Sequence, residues 1–453
     1  MKHRMWLAGA LLTLLWTTPA LADNRFIVRS TLGPIVLKQF CVFQGCTVVG
    51  ALDGMLNQVF LLTTPSAIDT TIFLNLLQNT PGILDAELDQ LISLVGGLNA
   101  VTTLPPGLTD NSPANLFGTK VWNGYANQPA SAIVHLQDAQ NTFDVVGKGI
   151  VADIDTGVDP GHPALINVLL PGYDFTRNQV GGSEMTDFAS PAPAPCPNCQ
   201  PAIVNQSSAA ILDQSSAAIL DGNFQYAAFG HGTMVMGVIH LVAPKAHLLP
   251  LKAFRSDGTG FLSDILRAIY FAVQNNANVI NMSFDTSTNS TELSKALDHA
   301  NQLNVICVAS AGNDGQPAPP NYVYPAALQS DVMGVAATSD LDTRSTFSNY
   351  GNPIVWVAAP GEAIVTTYPF STYAAGWGTS FSAPFVSGAA ALMRSLRPDI
   401  NESSAASALA YAQFVGPDMG NGRLDLVMAL SALPPENGSE NSNQGAVLPP
   451  LLP

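Results

Sequence analysis

Near the carboxyl-terminal end of this chain, glycine and hydroxyl residues run directly into an apolar helical segment, and this stretch constrains the fold most. Gly376–Gly388 reads G-W-G-T-S-F-S-A-P-F-V-S-G, and the apolar run Ala383–Leu396 continues it. Ser380 therefore stands at or near the first turn of a predicted helix, where free N–H groups and the helix dipole stabilise an anion. Pro384 also suits a first turn, since its missing N–H is not needed there. Taken alone, such a serine is usually only an N-cap.

Two earlier segments supply the residues that a nucleophilic serine needs. Gly149–Leu165 reads G-I-V-A-D-I-D-T-G-V-D-P-G-H-P-A-L, and Gly230–Gly237 reads G-H-G-T-M-V-M-G. They contain Asp155 and His231, which together with Ser380 give the chain order Asp, His, Ser. That order is the one found in subtilisin and differs from the orders in chymotrypsin and the α/β-hydrolases.

The three segments resemble the aspartate, histidine and serine signatures of the subtilisin-like serine proteases, and the resemblance covers roughly residues 116–433. It implies an α/β domain with a mostly parallel sheet flanked by helices on both faces. It also implies a serine endopeptidase that hydrolyses peptide bonds through an acyl-enzyme intermediate. In that reaction Asp155 orients His231, His231 takes the proton of Ser380, and Ser380 attacks the carbonyl.

The segment Val305–Gly315, V-I-C-V-A-S-A-G-N-D-G, resembles the oxyanion-hole segment of the same family. The resemblance implies that Asn313 donates its side-chain amide to the tetrahedral intermediate, beside the backbone N–H of Ser380. Without that motif, an asparagine between glycines would indicate only a turn.

Two further segments resemble the parts of the family that bind the substrate chain. Gly258 and Gly260 lie in a segment that, in the family, pairs with the substrate as an added strand. Val279–Phe284 resembles the strand that lines the primary specificity pocket, which makes Ser283 a substrate-binding candidate. The family usually continues with glycine where this chain has Asp285, so an altered pocket rim is expected and no preferred side chain is assigned.

Other acidic and imidazole side chains near the first signature are alternatives to the catalytic assignment. Asp153 lies on the same strand face as Asp155 but further from the strand end, and Asp159 lies beyond the turn. His162 occupies a position that is usually structural in the family. Ala164 stands where many relatives carry a calcium-binding aspartate, so no location is assigned to a structural calcium. No cofactor is expected to be required.

The first 22 residues have the pattern of a secretory signal. A basic start precedes the apolar run Trp6–Trp16, which is too short to span a bilayer comfortably, and Ala20–Ala22 forms an A-x-A cleavage site. A secreted or periplasmic protein is therefore expected. A retained membrane anchor is the alternative.

Residues 23–95 alternate between strand-like and helix-like runs and resemble, by position and pattern, the inhibitory propeptide of subtilisin-like enzymes. That would be a small α+β domain that holds the zymogen inactive; an unrelated amino-terminal domain is the alternative. Residues 96–115 are rich in Gly, Pro, Asn and Ser and are expected to form a linker.

The five cysteines fall into two close pairs and one single residue. In an oxidising compartment, Cys41 with Cys46 and Cys196 with Cys199 are near enough in sequence for local disulfides. The C-x-x-C pair could instead be half of a zinc site, although no second ligand pair accompanies it. Cys307 lies in an apolar strand and is expected to be a buried free thiol.

Residues 171–229 form a long insertion between the first two signatures, and residues 206–221 within it repeat one octapeptide twice. Residues 434–453 are rich in Pro, Asn, Ser and Gly, and disorder is expected there.

The chain has 453 residues, of which 47% are apolar and 11% charged, and its net charge is −16. This composition fits two folded units and argues against nucleic acid as a partner. A monomer acting on protein or peptide substrates is expected, with its own propeptide as intramolecular inhibitor and no membrane association once the signal is removed.

Two rival functions belong to other classes. An inert binding or scaffold protein of the same fold would usually lack a catalytic residue, and none is missing here. An esterase of the α/β-hydrolase type would carry G-x-S-x-G and a different residue order.

Overall fold

A computed structural model describes residues 23–94, 105–187, 202–204, 209–211 and 226–434. The predicted signal (residues 1–22), Cys196, Cys199, most of the octapeptide repeat and residues 435–453 lie outside the described residues. The chain divides into two compact units. The first contains the described residues up to Ala51 together with Leu56–Leu88, and the second contains Leu52–Met55 and the described residues from Asp89 onward.

The first unit is a four-stranded antiparallel sheet covered by two helices. Alternate residues of its central strands, among them Phe26, Val28, Phe60 and Leu62, point into one apolar core, as a half-buried sheet requires. The elements are β1 (Asn24–Ser30), α1 (Gly33–Gln44), β2 (Thr47–Ala51), β3 (Val59–Thr64), α2 (Thr70–Gln78) and β4 (Ile83–Leu88).

Cys41 and Cys46, which the sequence places near enough for a local disulfide, form one in this unit, and it joins α1 to the residue before β2. Cys307 of the second unit is a buried free thiol, as expected.

The second unit is built on an eight-stranded sheet that is parallel except at one edge. Its inner strands are mostly apolar because both faces are covered; all five residues of Ile306–Ser310, for example, are buried. In spatial order the strands are β10 (Gln179–Val180), β9 (Tyr173–Asp174), β13 (His247–Lys252), β8 (Ile150–Asp155), β15 (Val279–Met282), β16 (Ile306–Ser310), β17 (Met333–Thr338) and β18 (Val357–Pro360).

Nine helices are described in this unit, and the mostly parallel sheet with its helices confirms the expected α/β class. They are α3 (Asn123–Ala126), α4 (Pro129–Ile133), α5 (Leu136–Phe143), α6 (His231–Val242), α7 (Leu262–Gln274), α8 (Thr291–Gln302), α9 (Thr379–Leu396), α10 (Glu402–Leu409) and α11 (Leu426–Ser431). Short 3-10 turns lie at Gly54–Leu56, Pro106–Thr109 and Met185–Asp187.

Smaller sheets complete the unit. One joins β11 (Ala202–Val204), β12 (Ala209–Ile211), β20 (Thr372–Gly376) and β19 (Ile364–Tyr368); a second pairs β5 (Leu91–Ser93) with β14 (Thr259–Phe261), and a third pairs β6 (Pro113–Leu116) with β7 (Thr119–Trp122).

The described part of the predicted linker, residues 105–115, is folded onto the second unit rather than extended. It contains a 3-10 turn and most of β6, and Leu108 is fully buried in the core of that unit. Burial of this leucine removes apolar surface from water and so stabilises the folded segment, which a free linker would not do. Across the described ranges, we find no helix with the length and apolar character needed to cross a membrane.

Helices α6 and α9 pack closely against each other, and all twelve residues of α6 are buried. A Cβ placed at Gly388 of α9 would lie 2.6 Å from the Cβ of Val242 in α6. Only glycine therefore allows the two helices to approach this closely.

We predict that Gly388→Ala lowers the melting temperature, measured in the Ser380→Ala background. Overpacking costs about 1–3 kcal/mol, which exceeds the ~1 kcal/mol that alanine gains over glycine in helix propensity. Ser395→Ala, at a partly exposed position of the same helix, is the control and should change stability little. A melting temperature raised by Gly388→Ala would show that the two helices are not closely packed.

Candidate active site

Asp155 and His231 are hydrogen-bonded at the carboxyl edge of the parallel sheet. Asp155 is the last residue of β8, and His231 is the first residue of α6. His231 Nδ1 lies 2.8 Å from each carboxylate oxygen of Asp155, and the backbone N–H of Thr156 donates to Oδ1 at 2.6 Å. Both side chains are buried, so the pair is held in one geometry.

The surroundings of His231 favour its protonated form. Burial alone lowers the pKa of His231, but the charge and hydrogen bond of Asp155, with the charge of Glu184, outweigh it and raise the pKa above its usual value. The bond to Asp155 also fixes the tautomer, because it places the Nδ1 proton between the two groups. The other ring nitrogen, Nε2, is then free to accept a proton.

Ser380 is the second residue of α9, one position before a side chain that contacts His231. The ring of Phe381 lies 5.7 Å from the imidazole, centroid to centroid. The hydroxyl of Ser380 donates to the carbonyl oxygen of Ser283 at 3.2 Å. Ser380 is therefore the sequence neighbour of a residue whose ring packs against His231, and its own hydroxyl is bonded to the residue that follows β15.

Pro384 does not lie in the first turn of α9, contrary to the sequence-based expectation. The helix begins at Thr379, so Pro384 is its sixth residue and cannot donate to the carbonyl of Ser380. The hydroxyl of Ser283 supplies that missing hydrogen bond, at 2.9 Å from Ser380 O. The proline is tolerated because a side chain from another strand satisfies the freed carbonyl.

Asn313 lies directly against the start of α9. Its Oδ1 accepts hydrogen bonds from the backbone N–H of Thr379 at 2.8 Å and from the Thr379 hydroxyl at 3.0 Å. Because the backbone donor identifies the facing atom as oxygen, Nδ2 points away from the helix and retains its donors. The N–H of Ser380 belongs to the first helical turn, whose donors have no partner within the helix.

Asp153 and Asp159 bond to groups other than His231. Asp153 accepts a hydrogen bond from Asn281 at 2.9 Å, and burial, followed by the charge of Asp155, raises the pKa of Asp153 well above its usual value. Asp159 accepts from the backbone N–H groups of Gly161 and Phe370. Of the three candidate aspartates, the structure pairs only Asp155 with the imidazole.

His162 makes contacts that fix a loop rather than a reacting group. Its Nε2 lies 2.9 Å from the carbonyl oxygen of Thr372, and its Nδ1 accepts from the backbone N–H of Ala164. Ala164 is buried and carries no oxygen on its side chain, so it does not fit the calcium site of relatives. Among the described residues, no group of three or more His, Cys, Asp or Glu side chains is arranged for a metal ion.

The segment containing Gly258 and Gly260 pairs with a strand from earlier in the chain. Gly260 is opposite Ile92 in the antiparallel pair of β14 and β5. The backbone N–H of Leu94 donates to the carbonyl oxygen of Gly258 at 2.9 Å, and that of Leu262 donates to Gln90 O. This edge therefore binds an extended segment of the chain.

Asp285 and Asp314 are two carboxylates close in the chain to Ser283 and Asn313, the residues that contact the start of α9. Asp285 follows Ser283 by two positions, and its Oδ2 lies 3.1 Å from the point where a Cβ of Gly312 would stand. Asp314 is exposed and follows Asn313 directly. Burial is the main cause that raises the pKa of Asp285 to about 7, and the charge of Asp314 is the second.

Sequence reasoning missed two buried charged residues beside this site, Lys252 and Glu184. Lys252 ends β13, and its Nζ contacts Thr156 O at 2.7 Å, Phe254 O at 2.8 Å and Asp187 Oδ2 at 2.9 Å. A lysine at the end of an apolar strand could have indicated a buried ion pair, since buried lysines are almost always paired. Glu184 lies in the insertion, where no sequence pattern distinguished it.

The sequence of this chain is similar to those of known subtilases. The model of the Subtilase family matches residues 147–423. Thermitase from Thermoactinomyces vulgaris is 32% identical over 263 residues, which are 57% of this chain and 79% of thermitase. Subtilisin DY from Bacillus licheniformis is 39% identical over 184 residues, which are 38% of this chain and 66% of that protein.

A solved structure with a similar fold is the crystal structure of a lanthipeptide protease. It superimposes with a TM-score of 0.52 at 22% identity, over 67% of this chain and 94% of that one. At this identity the likeness supports the fold alone.

We predict that the pKa of His231 lies above its usual value and that Asp155→Asn lowers this pKa, because the asparagine removes the negative charge beside Nδ1. Histidine-selective NMR on the Ser380→Ala protein would follow each imidazole through a pH series. His240 is an internal control: burial, followed by nearby positive charges, lowers the pKa of His240 to about 4. A His231 midpoint at or below that of an ordinary exposed histidine would contradict the electrostatics described for this site.

Proposed function

The chain belongs to the subtilase family of serine proteases, and on that premise we propose that Asp155, His231 and Ser380 are its catalytic triad. The observation that supports this best is the pair of 2.8 Å contacts between His231 Nδ1 and Asp155, since they leave Nε2 as a base. The ring of Phe381, which follows Ser380 at the start of α9, packs against that imidazole, and this supports Ser380 as the third member. The proposed reaction is hydrolysis of peptide bonds within protein substrates.

In the proposed mechanism, Ser380 Oγ attacks the scissile carbonyl carbon while His231 Nε2 takes the hydroxyl proton. For this the hydroxyl turns away from Ser283 about its Cα–Cβ bond. The tetrahedral intermediate collapses as the imidazolium gives its proton to the leaving amine and the C–N bond breaks. Water then attacks the acyl-enzyme by the same proton transfers, and Asp155 stays ionised throughout.

The negative charge of the tetrahedral intermediate would be stabilised by donors that are already oriented. Asn313 Nδ2 and the N–H of Ser380 are the proposed pair. The two hydrogen bonds from Thr379 to Asn313 Oδ1 hold the amide in that orientation before substrate arrives. Subtilases need no organic cofactor for this chemistry.

We further propose that residues 23–95 act as an inhibitory propeptide. In support, β5 occupies the β14 edge that is expected to bind substrate. Asp89 accepts hydrogen bonds from the backbone N–H and the hydroxyl of Ser263, at 2.8 and 2.7 Å, at the start of α7. While these contacts persist, an extended substrate cannot pair with Gly258–Phe261. Cleavage within residues 96–115 or just before them, followed by dissociation of the propeptide, would free this edge.

Export is the proposed destination, with residues 1–22 as the signal and a secreted or periplasmic product. The basic start, short apolar run and A-x-A site carry this proposal. An inhibitor segment also fits an exported protease, because activity during export would damage the cell that makes it.

We predict that Asn313→Ala lowers kcat about 100–1000-fold and changes KM little, because it removes a donor to the developing oxyanion; that range is known from subtilisin, a relative of this chain. Ser380→Ala should abolish hydrolysis of casein and of a peptide anilide. Asn275→Ala, at an exposed position that follows α7, is the control and should retain wild-type kinetics.

Two outcomes would contradict the proposed function. Hydrolysis that persists in Ser380→Ala would exclude this serine as the nucleophile. Turnover of ester substrates without any cleavage of casein or peptides by the mature protein would favour an esterase, and no turnover of either would favour a scaffold protein.

We predict that the mature enzyme cleaves substrates with arginine next to the scissile bond faster than the same substrates with neutral citrulline. Asp285 and Asp314 supply negative charge beside Ser283 and Asn313, and a hydrogen bond to a charged group contributes ~1.5–3 kcal/mol. The ratio of kcat/KM values should therefore be about 10 or more, and it should rise as the pH passes 7, where Asp285 ionises.

The variant that tests this is Asp285→Asn, which should lower the arginine-to-citrulline ratio and leave only the contribution of Asp314. Asp298→Asn, on the exposed face of α8, is the matched control and should leave the ratio unchanged. An equal ratio in the wild type and in Asp285→Asn would show that this carboxylate does not contact the substrate.

A further inference from the structure

Glu184 is a fully buried carboxylate that is hydrogen-bonded to residues next to Asp155 and His231 in the chain. It belongs to the insertion that follows the first signature, and its backbone is tied to the turn after β8. Its N–H donates to the carbonyl oxygen of Val158 at 3.1 Å, and the N–H of Val158 donates to Gly182 O at 2.8 Å. The insertion therefore adds a charged side chain to the interior of the catalytic unit.

Three donors converge on the Glu184 carboxylate, one from the aspartate side and two from the histidine side. The Thr156 hydroxyl donates to Oε2 at 2.9 Å, and the backbone N–H of Gly230 donates to the same oxygen at 2.8 Å. The Thr233 hydroxyl donates to Oε1. Thr156 follows Asp155, and Gly230 precedes His231, so one side chain links both catalytic residues through their neighbours.

The direction of these hydrogen bonds is fixed by other contacts. The Thr156 hydroxyl oxygen accepts from the N–H of Gly232 at 3.0 Å, and the Thr233 hydroxyl oxygen accepts from the N–H of Asp159 at 2.7 Å. Each hydroxyl proton is therefore available to point at Glu184. In Glu184→Gln, the side-chain NH2 group would replace one carboxylate oxygen. One hydroxyl proton would then face a hydrogen-bond donor instead of an acceptor.

The charged and titratable groups around Glu184 come from several elements. Burial is the largest effect and raises the pKa of Glu184 to about 7, against the opposing influence of its donors and of Lys252. In turn, its charge raises the pKa of His231. The groups that face Glu184 are Asp153 of β8, His231 of α6, Lys252 of β13 and Tyr368 of β19, and Lys252 is itself paired with Asp187.

We propose that Glu184 is a positioning residue for catalysis, which holds the turn after Asp155 against the start of the His231 helix and adds negative charge that supports the imidazolium. The inference rests on the proposed triad. Glu184 does not touch the reacting atoms, so its effect is exerted through Asp155 and His231. A carboxylate that affected only the stability of the fold, and not the imidazole, would leave the titration of His231 unchanged.

The first test compares Glu184→Gln with the wild type in the mature enzyme. We expect kcat to fall by up to about 100-fold with little change in KM, since a displacement of ~1 Å in a catalytic group can cost that much. The acid limb of the kcat/KM profile should move to lower pH, because the imidazolium loses the negative charge that Glu184 gains as the pH rises through about 7. Activities are normalised to folded protein by near-ultraviolet circular dichroism.

Glu402→Gln is the matched control. Glu402 is also a carboxylate whose pKa burial raises, to about 8, and it accepts a hydrogen bond from the backbone N–H of Cys307 at 3.1 Å. Its replacement should lower stability without moving the pH profile. An unmoved acid limb in Glu184→Gln, or an equal movement in Glu402→Gln, would overturn the proposal.

A second pair of variants leaves Glu184 in place and changes one of its donors. Thr156→Val removes the hydroxyl at nearly constant volume, whereas Thr156→Ser keeps it. We expect Thr156→Val to lower kcat and Thr156→Ser to retain it, and the cost of Thr156→Val should shrink when Glu184 is already glutamine. Fully additive costs would show that the two residues do not act together.

A readout that needs no activity separates this proposal from the proposed function. In the Ser380→Ala background, Glu184→Gln should lower the pKa of His231 followed by NMR, and Glu402→Gln should not. A wild-type protein that hydrolyses nothing would refute the protease function, yet this titration would still decide the role of Glu184. An unchanged His231 midpoint in Glu184→Gln would refute it.

Discussion

The hydrogen bond between Asp155 and His231 joins side chains that are 76 residues apart, and the rest of the site depends on it. Burying a carboxylate is costly unless it is paired and hydrogen-bonded, and Asp155 meets that condition through His231 and Thr156. The pair forms only if the carboxyl end of β8 and the amino end of α6 lie next to each other in the fold. The parallel sheet on one side, and the close packing of α6 on α9 at Gly388, together fix that meeting point.

The amino-terminal turn of α9 is held in place by side chains from two other strands. Ser283, after β15, replaces the backbone hydrogen bond that Pro384 cannot make, and Asn313, after β16, caps the N–H of Thr379. The backbone N–H of Ser380 and the side-chain amide of Asn313 are therefore oriented before any substrate binds. Such preorganised donors stabilise charge without the cost of reorientation during the reaction.

The sequence predicted the α/β class and the candidate residues of the site because their chemistry is tied to short local motifs. Asp155 and His231 stand at element ends that glycines and apolar runs indicate, and the structure brings them together. The position of Pro384 was wrong by about a turn, because the compensating Ser283 hydroxyl comes from a distant strand. Glu184 could not be predicted, since its role arises from where the insertion folds back, and no local pattern encodes that contact.

The most direct test of the proposed triad is covalent labelling of the mature protein with a fluorophosphonate, followed by digestion and mass spectrometry. Phosphonylation confined to Ser380, and lost in His231→Ala, is the expected result, because only a serine beside its base is nucleophilic enough to react. Labelling at another serine, or equal labelling of Ser380 in His231→Ala, would contradict the triad.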